Sequence, residues 1–407
     1  MNLSSNAREP GLSVVAGSEL YLDAASTTPP LPAVIEAMRS AQQGAWANPS
    51  SLHGHGVRAA EALERARLTM AALLDAAPED LIFTSGATES VHLALLGSAA
   101  AMAAGRLVIS SVEHPAVVAA AERLVGLGWR LELWPVDAQG LIRLDQLDRL
   151  LSPPTRLVSL IWGQSEVGSV QPLIPVAQAC RQRGIRFHSD ATQLIPQGRV
   201  SWSELPVDLL SFSAHKFQGP RGVGLLLTRR DLPLSALQGG GGQEQGLRSG
   251  TEPVALVAGC AQAMTALPAF DAMSAAVPPG ACDWIRPCRD QLLEQLLTIP
   301  GVRAVGPDCF ARLPHHISLL IGTADGRPLS GRALVRQLSR NGVAASSGTA
   351  CRSGAPTDSA VLSAMQVERI WRRSGLRLSL GPWLSKADLC SVPQLLEQAI
   401  HHVQHDV

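Results

Sequence analysis

The chain has 407 residues, 46% hydrophobic and 17% charged, which excludes a disordered or coiled-coil protein and, at ~150 residues per domain, allows two or three domains. Lysine plus arginine and aspartate plus glutamate balance at 34 each, so the basic excess expected of a nucleic-acid binder is missing. No apolar run approaches the ~20 residues of a membrane span, and Met1–Leu20 lacks the basic start and apolar centre of a secretion signal; a soluble, cytoplasmic protein is expected.

From Tyr21 to about Arg230 short apolar runs alternate with longer amphipathic ones. Strands are predicted at Leu81–Phe83, Arg106–Ser110, Arg130–Trp134, Leu157–Trp162, Ile185–His188, Leu209–Phe212 and Gly222–Leu227. Between them the spacing predicts helices at His55–Leu74, Ala87–Ala103, Pro115–Leu127 and Pro175–Arg183; in the first, Val57, Ala60, Leu63 and Leu68 fall at helical spacing. Such alternation implies an α/β fold, a mainly parallel seven-stranded sheet between helices. After the glycine run Gly239–Gly242 and a helix at Pro253–Met264, a Pro/Ala-rich bridge, Pro268–Pro279, leads to a smaller α+β domain. That domain is expected to have helices at Asp283–Leu297, Arg332–Arg340 and Ala387–His402 and strands near Ile317–Ile321 and Arg377–Leu380. The division expected is 21–265 for the large domain and 1–20 with 266–407 for the small one.

Of the 34 basic residues only Lys216 and Lys386 are lysines. Where positive charge alone is needed this chain uses arginine, so each lysine needs its own explanation; an amine can lose its proton and attack a carbonyl, a guanidinium cannot. Lys386 follows Ser385 in a first helical turn and reads as a surface residue. Lys216 stands in Ser211-Phe212-Ser213-Ala214-His215-Lys216-Phe217, past a predicted strand and among apolar residues, where its pKa would fall. Thr84-Ser85-Gly86-Ala87-Thr88 opens a helix and suits either a phosphate or ordinary capping. Asp190, in His188-Ser189-Asp190-Ala191-Thr192-Gln193, falls at the carboxyl end of a strand; it reads equally as a ring-nitrogen partner or an N-cap. Phosphate cup, carboxylate and reactive lysine, in this order, are the requirements of pyridoxal 5′-phosphate.

Seven cysteines, none in a C-x-x-C pair, indicate neither a disulfide framework nor a zinc site. Cys351 alone lies among small, flexible residues, Ser346-Ser347-Gly348-Thr349-Ala350-Cys351-Arg352, and reads as reactive; the other six read as inert. Arg377, in a short apolar strand, needs an anion, either a substrate carboxylate or a structural partner. His401, His402 and His405 read as histidines at a helix C-terminus, and no metal site is expected.

Taken together, Tyr-Leu-Asp-Ala-Ala-Ser-Thr-Thr-Pro (21–29), Asn48-Pro49-Ser50-Ser51, Thr84–Ser90, Glu113-His114-Pro115, Asp190–Gln193, Ser213–Lys216, Arg248-Ser249-Gly250-Thr251 and Ser346–Cys351 resemble the cysteine desulfurases of the class V aminotransferase family, fold-type I pyridoxal-phosphate enzymes. The resemblance implies that Lys216 holds the cofactor covalently and shuttles protons. Asp190 would pair with the ring nitrogen, His114 stack on the ring and assist proton transfer, and Gln193 meet the ring hydroxyl. Ala87, Thr88, Ser213 and His215 would bind the phosphate, with Thr251 reaching it from the partner subunit of a homodimer. Arg377 would clamp the carboxylate of L-cysteine, and Cys351 would take the sulfur as a persulfide for a sulfur-acceptor protein, an iron–sulfur scaffold or a sulfur carrier. One departure stands out: Ser165, in Gln164-Ser165-Glu166, replaces an asparagine that normally donates to the ring hydroxyl, which predicts altered cofactor electronics rather than lost binding. A β-elimination lyase releasing pyruvate is the rival expectation; a non-catalytic scaffold is disfavoured by Lys216 and Asp190.

Overall fold

The structure, a computed structural model, describes residues 19–348 and 358–405. Seven strands form the main sheet: β1 (Leu81–Thr84), β2 (Arg106–Ser110), β3 (Arg130–Trp134), β4 (Thr155–Ile161), β5 (Arg186–Asp190), β6 (Leu209–Ser213) and β7 (Gly224–Thr228). Their order across the sheet is β1-β7-β6-β5-β4-β2-β3. Only β7 runs antiparallel to its neighbours.

Alternation along these strands explains why both faces are covered. Phe83, Val108, Val158, Leu160, Phe187, Leu210, Phe212, Leu225 and Leu227 point into one large core. Their sequence neighbours Leu107, Ile109 and Leu157 pack on the opposite face with Val117, Ala120 and Leu124 of the helix Pro115–Val125. Ile82, Leu209 and Leu226 do the same under Leu93 and Ala94. Burial on both faces is what a sheet sandwiched between helices requires.

The predicted helix at 55–74 forms as Gly54–Leu74, but its buried stripe is Ala59, Leu63, Ala66, Met70 and Leu74, while Val57 and Leu68 are exposed. The expected helix at 87–103 is Ala87–His92 followed by a π-helical turn, Leu93–Gly97, and Ser98–Ala100. The expected helix at 387–402 is divided into Lys386–Leu389 and Val392–His405. Pro393 accounts for the break, since its ring collides with the carbonyl four residues back.

Trp134 illustrates the packing. Its ring is fully buried at the end of β3 and its Nε1 donates to the Arg143 carbonyl at 2.8 Å. Trp134→Ala leaves a cavity and an unpaired carbonyl and is expected to cost about 3–5 kcal/mol in a denaturant melt, with activity per folded molecule unchanged.

The smaller C-terminal domain has an antiparallel sheet of β8 (Val302–Ala304), β9 (His316–Ile321) and β10 (Gly375–Ser379), with β9 in the middle. Helices Ile285–Leu297, Gly331–Arg340 and Val392–His405 close its own core around Leu292, Ile317, Leu319, Leu334, Leu378 and Leu396. Leu22 from the start of the chain joins this core, and Leu20–Tyr21 pairs with Val343–Ala344. Phe270 packs instead in the large core, where Ala269–Phe270 pairs with Arg199–Val200. Among the described residues no helix is long and apolar enough to cross a membrane.

Candidate active site

The carboxyl edge of the main sheet collects the residues that matter. Asp190 ends β5 and pairs in register with Ile161 at the end of β4 and with Ser211 in β6. Its side chain, 4% exposed, accepts from the Thr192 backbone N–H at 3.0 Å. Ser213 ends β6, and a 3-10 turn, Ala214–Lys216, follows at once. Gly224 pairs with Ser213 on one side and Thr84 on the other, so the ends of β1 and β6 meet across a residue with no side chain. A Cβ at Gly224 would lie 2.5 Å from the Gly86 carbonyl carbon, and Gly86 itself has φ 156°. These glycines let the start of the helix Ala87–His92 and its continuation approach the Ser213 hydroxyl. The Ala87 and Thr88 N–H groups at that start have no intrahelical acceptor. Backbone donors, a hydroxyl and a helix dipole at one point suit an anion.

Lys216 and Arg377 hang on one short turn. The Lys216 Nζ donates to the carbonyls of Ala25 and Ser26, both at 2.7 Å. Arg377 Nη2 donates to Asp23 Oδ1 and Ser26 Oγ, also both at 2.7 Å, and its Nη1 donates to the Ser165 carbonyl at 2.9 Å. The Arg377 Nε is buried with no protein partner. Arg377 thus has a structural ion-pair partner in Asp23 and keeps one buried donor, Nε, without a protein partner. Burial lowers the Lys216 pKa to about 8, helped by the positive charge of Arg377 and opposed by Asp23 and Asp190. Gln193 Nε2 donates to the same Ala25 carbonyl at 2.8 Å, which places it beside Lys216. His215 Nδ1 lies 3.1 Å from Thr27 Oγ1, and its carbonyl accepts from Thr28 Oγ1 at 2.8 Å, so the 23–28 and 213–218 segments are clasped together. Burial pushes the His215 pKa down to about 4, with Lys216 and Arg221 adding to it. By contrast Lys386 is exposed and lies in a helix capped by Ser385 and Asp388.

His114 caps the helix Pro115–Val125, its Nδ1 accepting from the Ala116 N–H at 3.2 Å. Its ring reaches solvent, yet the protein packed around it lowers its pKa; Asp190 opposes this and Lys216 adds to it. The preceding Glu113 is a residue whose role sequence reasoning missed. Its Oε1 accepts from the Ile161 N–H at 2.8 Å and the Ser110 N–H at 3.3 Å, stapling β4 to β2, while its Oε2 is buried without a partner. Burial raises its pKa to about 8; the charge of Asp190 adds to this, while hydrogen bonds from Ser110 and Ile161 oppose it. Between pH 4.5 and 8 the folded state thus holds a proton that the unfolded chain releases, and stability falls as pH rises through this window. Glu113→Gln removes that loss. Its melting temperature should gain on the wild type between pH 5 and pH 8, and a flat or opposite difference would contradict the assignment.

Glu166, beside Ser165, accepts from the Ser359 hydroxyl, and burial raises its pKa to about 7 against the pull of Ser359 and Arg377. Asp23, Ser26, Glu113 and Glu166 lie within or beside the sequence markers, but only their tertiary partners disclose what they hold. One expected site residue stands apart. Thr251 is exposed and lines a separate cavity of about 570 Å³ with Met38, Trp46, Asn48 and Leu256. Cys351 lies outside the described residues. Cys180 and Cys260, expected to be inert, are buried with their thiols pushed up to about 12.

The sequence profile of the family described as Aminotransferase class-V matches residues 20–392. The chain belongs to the class V aminotransferase family. Among class V relatives, the cysteine desulfurase IscS of Dictyoglomus turgidum is 35% identical over 389 residues, 95% of each chain. A cysteine desulfurase of Rattus norvegicus is 33% identical over 95% of this chain and 83% of its own. Of solved structures, a NifS-like protein superposes with a TM-score of 0.82 at 29% identity, covering 95% of this chain and 99% of that one. SspA in complex with cysteine gives 0.76 at 29% identity over 90% and 100%. The α/β architecture with a smaller C-terminal domain is thus that of the class V fold.

Proposed function

We propose that this chain is a pyridoxal-phosphate-dependent cysteine desulfurase that converts L-cysteine to L-alanine. One observation carries the reading: the turn Asp23–Ser26 holds a reactive amine, Lys216, and a carboxylate-seeking guanidinium, Arg377, side by side. An amino acid bound there has its amino group near the lysine and its carboxylate near the orphaned Arg377 Nε. The residues present fit the cofactor: an amine of lowered pKa, a carboxylate at the sheet edge, and a glycine-permitted approach of a helix start to Ser213. When bound, pyridoxal phosphate supplies an electron sink for the carbon next to the amino group.

In this reading Lys216 holds the cofactor and moves protons at the substrate carbon. Asp190 faces the ring nitrogen, Gln193 and Ser165 face the ring hydroxyl, and His114 covers the ring. Ala87, Thr88, Ser213 and His215 hold the phosphate. The Cys351 thiolate attacks the substrate sulfur. The C–S bond breaks, an S–S bond forms, and the carbon keeps the electron pair and takes a proton, so L-alanine leaves and Cys351 carries a persulfide without any external oxidant. The position of Thr251 on another surface, with Trp46 63% exposed beside it, supports a homodimer in which the partner completes the phosphate site. A sulfur-acceptor protein and a cytoplasmic setting belong to the same reading. So does a two-domain division, with the edge placed near 280 rather than 265 because Phe270 packs in the large core.

Product analysis after turnover of L-cysteine tests this. A desulfurase yields alanine and loses sulfur transfer in Cys351→Ser; pyruvate and ammonia with full sulfide release in Cys351→Ser would establish the lyase instead.

A further inference from the structure

The Ser165 carbonyl receives two donors. Arg377 Nη1 is 2.9 Å away and His316 Nε2 is 3.1 Å away. A carbonyl oxygen only accepts, so His316 must carry its proton on Nε2. The other nitrogen, Nδ1, is buried with no hydrogen-bond partner. A proton there would be an orphaned donor, so the ring is neutral and of one tautomer. Burial, with His315, Arg377 and Arg312 close by, holds its pKa well below the ordinary value, in agreement.

The fold commits space to this ring. Gly168, with φ +79°, follows the Ser165 turn, and a Cβ there would sit 2.6 Å from His316 Nδ1. His316 starts β9 opposite Ser379 of β10, and in the same register Ser318 faces Arg377. The two adjacent strands therefore send His316 and Arg377 to one oxygen from neighbouring positions. Ser379 completes the frame: its Oγ accepts from the Ala25 N–H at 2.9 Å and its carbonyl from the Ala24 N–H at 3.2 Å, which fixes the turn that holds Lys216.

We propose that His316 is a positioning residue for the substrate-carboxylate clamp. Its Nε2–H pins the Ser165 carbonyl, the pinned carbonyl orients the Arg377 guanidinium together with Asp23 and Ser26, and Nε is thereby left aimed as the free donor. This rests on the assignment of Arg377 as the carboxylate site. His316 touches neither substrate nor cofactor; it acts through Ser165.

The test compares His316→Leu, His316→Asn and His316→Gln holoenzymes. Leucine has no donor and asparagine is too short to reach the carbonyl, whereas glutamine carries an amide N–H at about the reach of Nε2. The KM for L-cysteine should rise about 3- to 10-fold in the Leu and Asn variants, with kcat within about twofold of wild type, and glutamine should restore it. L-Alanine affinity, measured by calorimetry without turnover, should weaken by the same factor and recover in the same variant. The visible cofactor absorbance should be unchanged throughout. Unaltered KM and L-alanine affinity in a folded Leu or Asn variant would overturn the proposal and leave the desulfurase reading intact. Equal losses in all three variants would also overturn it, because that is the result of a packing role. A wild-type protein that neither shows cofactor absorbance nor turns over L-cysteine would instead defeat the underlying reading. Should His316→Leu fail to fold, the Asn and Gln pair decides alone.

Discussion

Replacing Lys216 with arginine is expected to abolish turnover of L-cysteine, by about 10⁴-fold or more, while the protein remains folded. The substitution keeps a cation that can still donate to the Ala25 and Ser26 carbonyls, now held by the lysine at 2.7 Å. What it removes is an amine that can give up its proton near neutral pH: burial and Arg377 bring Lys216 to about 8, whereas a guanidinium stays charged. The variant should also lose the visible absorbance of lysine-bound cofactor. Lys386→Arg is the internal control, since that residue is exposed in a capped helix; it should behave as wild type. Retention of even a tenth of the activity in Lys216→Arg would contradict the assigned role.

Arg377→Gln is expected to act on two properties at once. Loss of charge-assisted hydrogen bonds to the substrate carboxylate, about 1.5–3 kcal/mol, should raise KM for L-cysteine by about 10- to 100-fold. The second effect is on Lys216. Arg377 depresses its pKa, while Asp23, now neutralised by Arg377 at 2.7 Å, raises it. Removing the guanidinium takes away a positive neighbour and leaves the aspartate uncompensated, so the lysine pKa moves up from about 8 toward its ordinary value. Uptake of pyridoxal phosphate by cofactor-free enzyme requires the neutral amine. Its pH profile should therefore shift to higher pH in Arg377→Gln, with slower uptake at pH 8. An unchanged profile, or one shifted to lower pH, would contradict the electrostatic linkage between these side chains.

Much of this was legible before any coordinates. Strands such as β1 (Leu81–Thr84) and β7 (Gly224–Thr228) were legible because both of their faces are buried and a short apolar run survives in sequence, whereas β5, Arg186–Asp190, buries His188, Ser189 and Asp190 and shows no such run. Lys216 was exposed by the scarcity of lysine rather than by its neighbours. The alanine-rich helix Gly54–Leu74 was harder to orient, since small residues such as Ala59 and Ala66 form the packed stripe while Val57 and Leu68 lie outside it. The site residues that sequence could not assign are those whose function consists of a distant partner. Asp23 and Ser26 acquire meaning only when Arg377 arrives from more than 350 residues away. Glu113 is an ordinary acidic residue in sequence and becomes a staple between β2 and β4 through bonds to Ser110 and Ile161. His316 gave no signal at all, because its importance lies in one hydrogen bond and one absent glycine side chain.

Because the chain has only two lysines, the central claim can be tested at a single atom. Borohydride-treated holoenzyme, digested and analysed by mass spectrometry, should carry the pyridoxyl group on the peptide containing Lys216. The group on the Lys386 peptide, or on neither, would contradict the account.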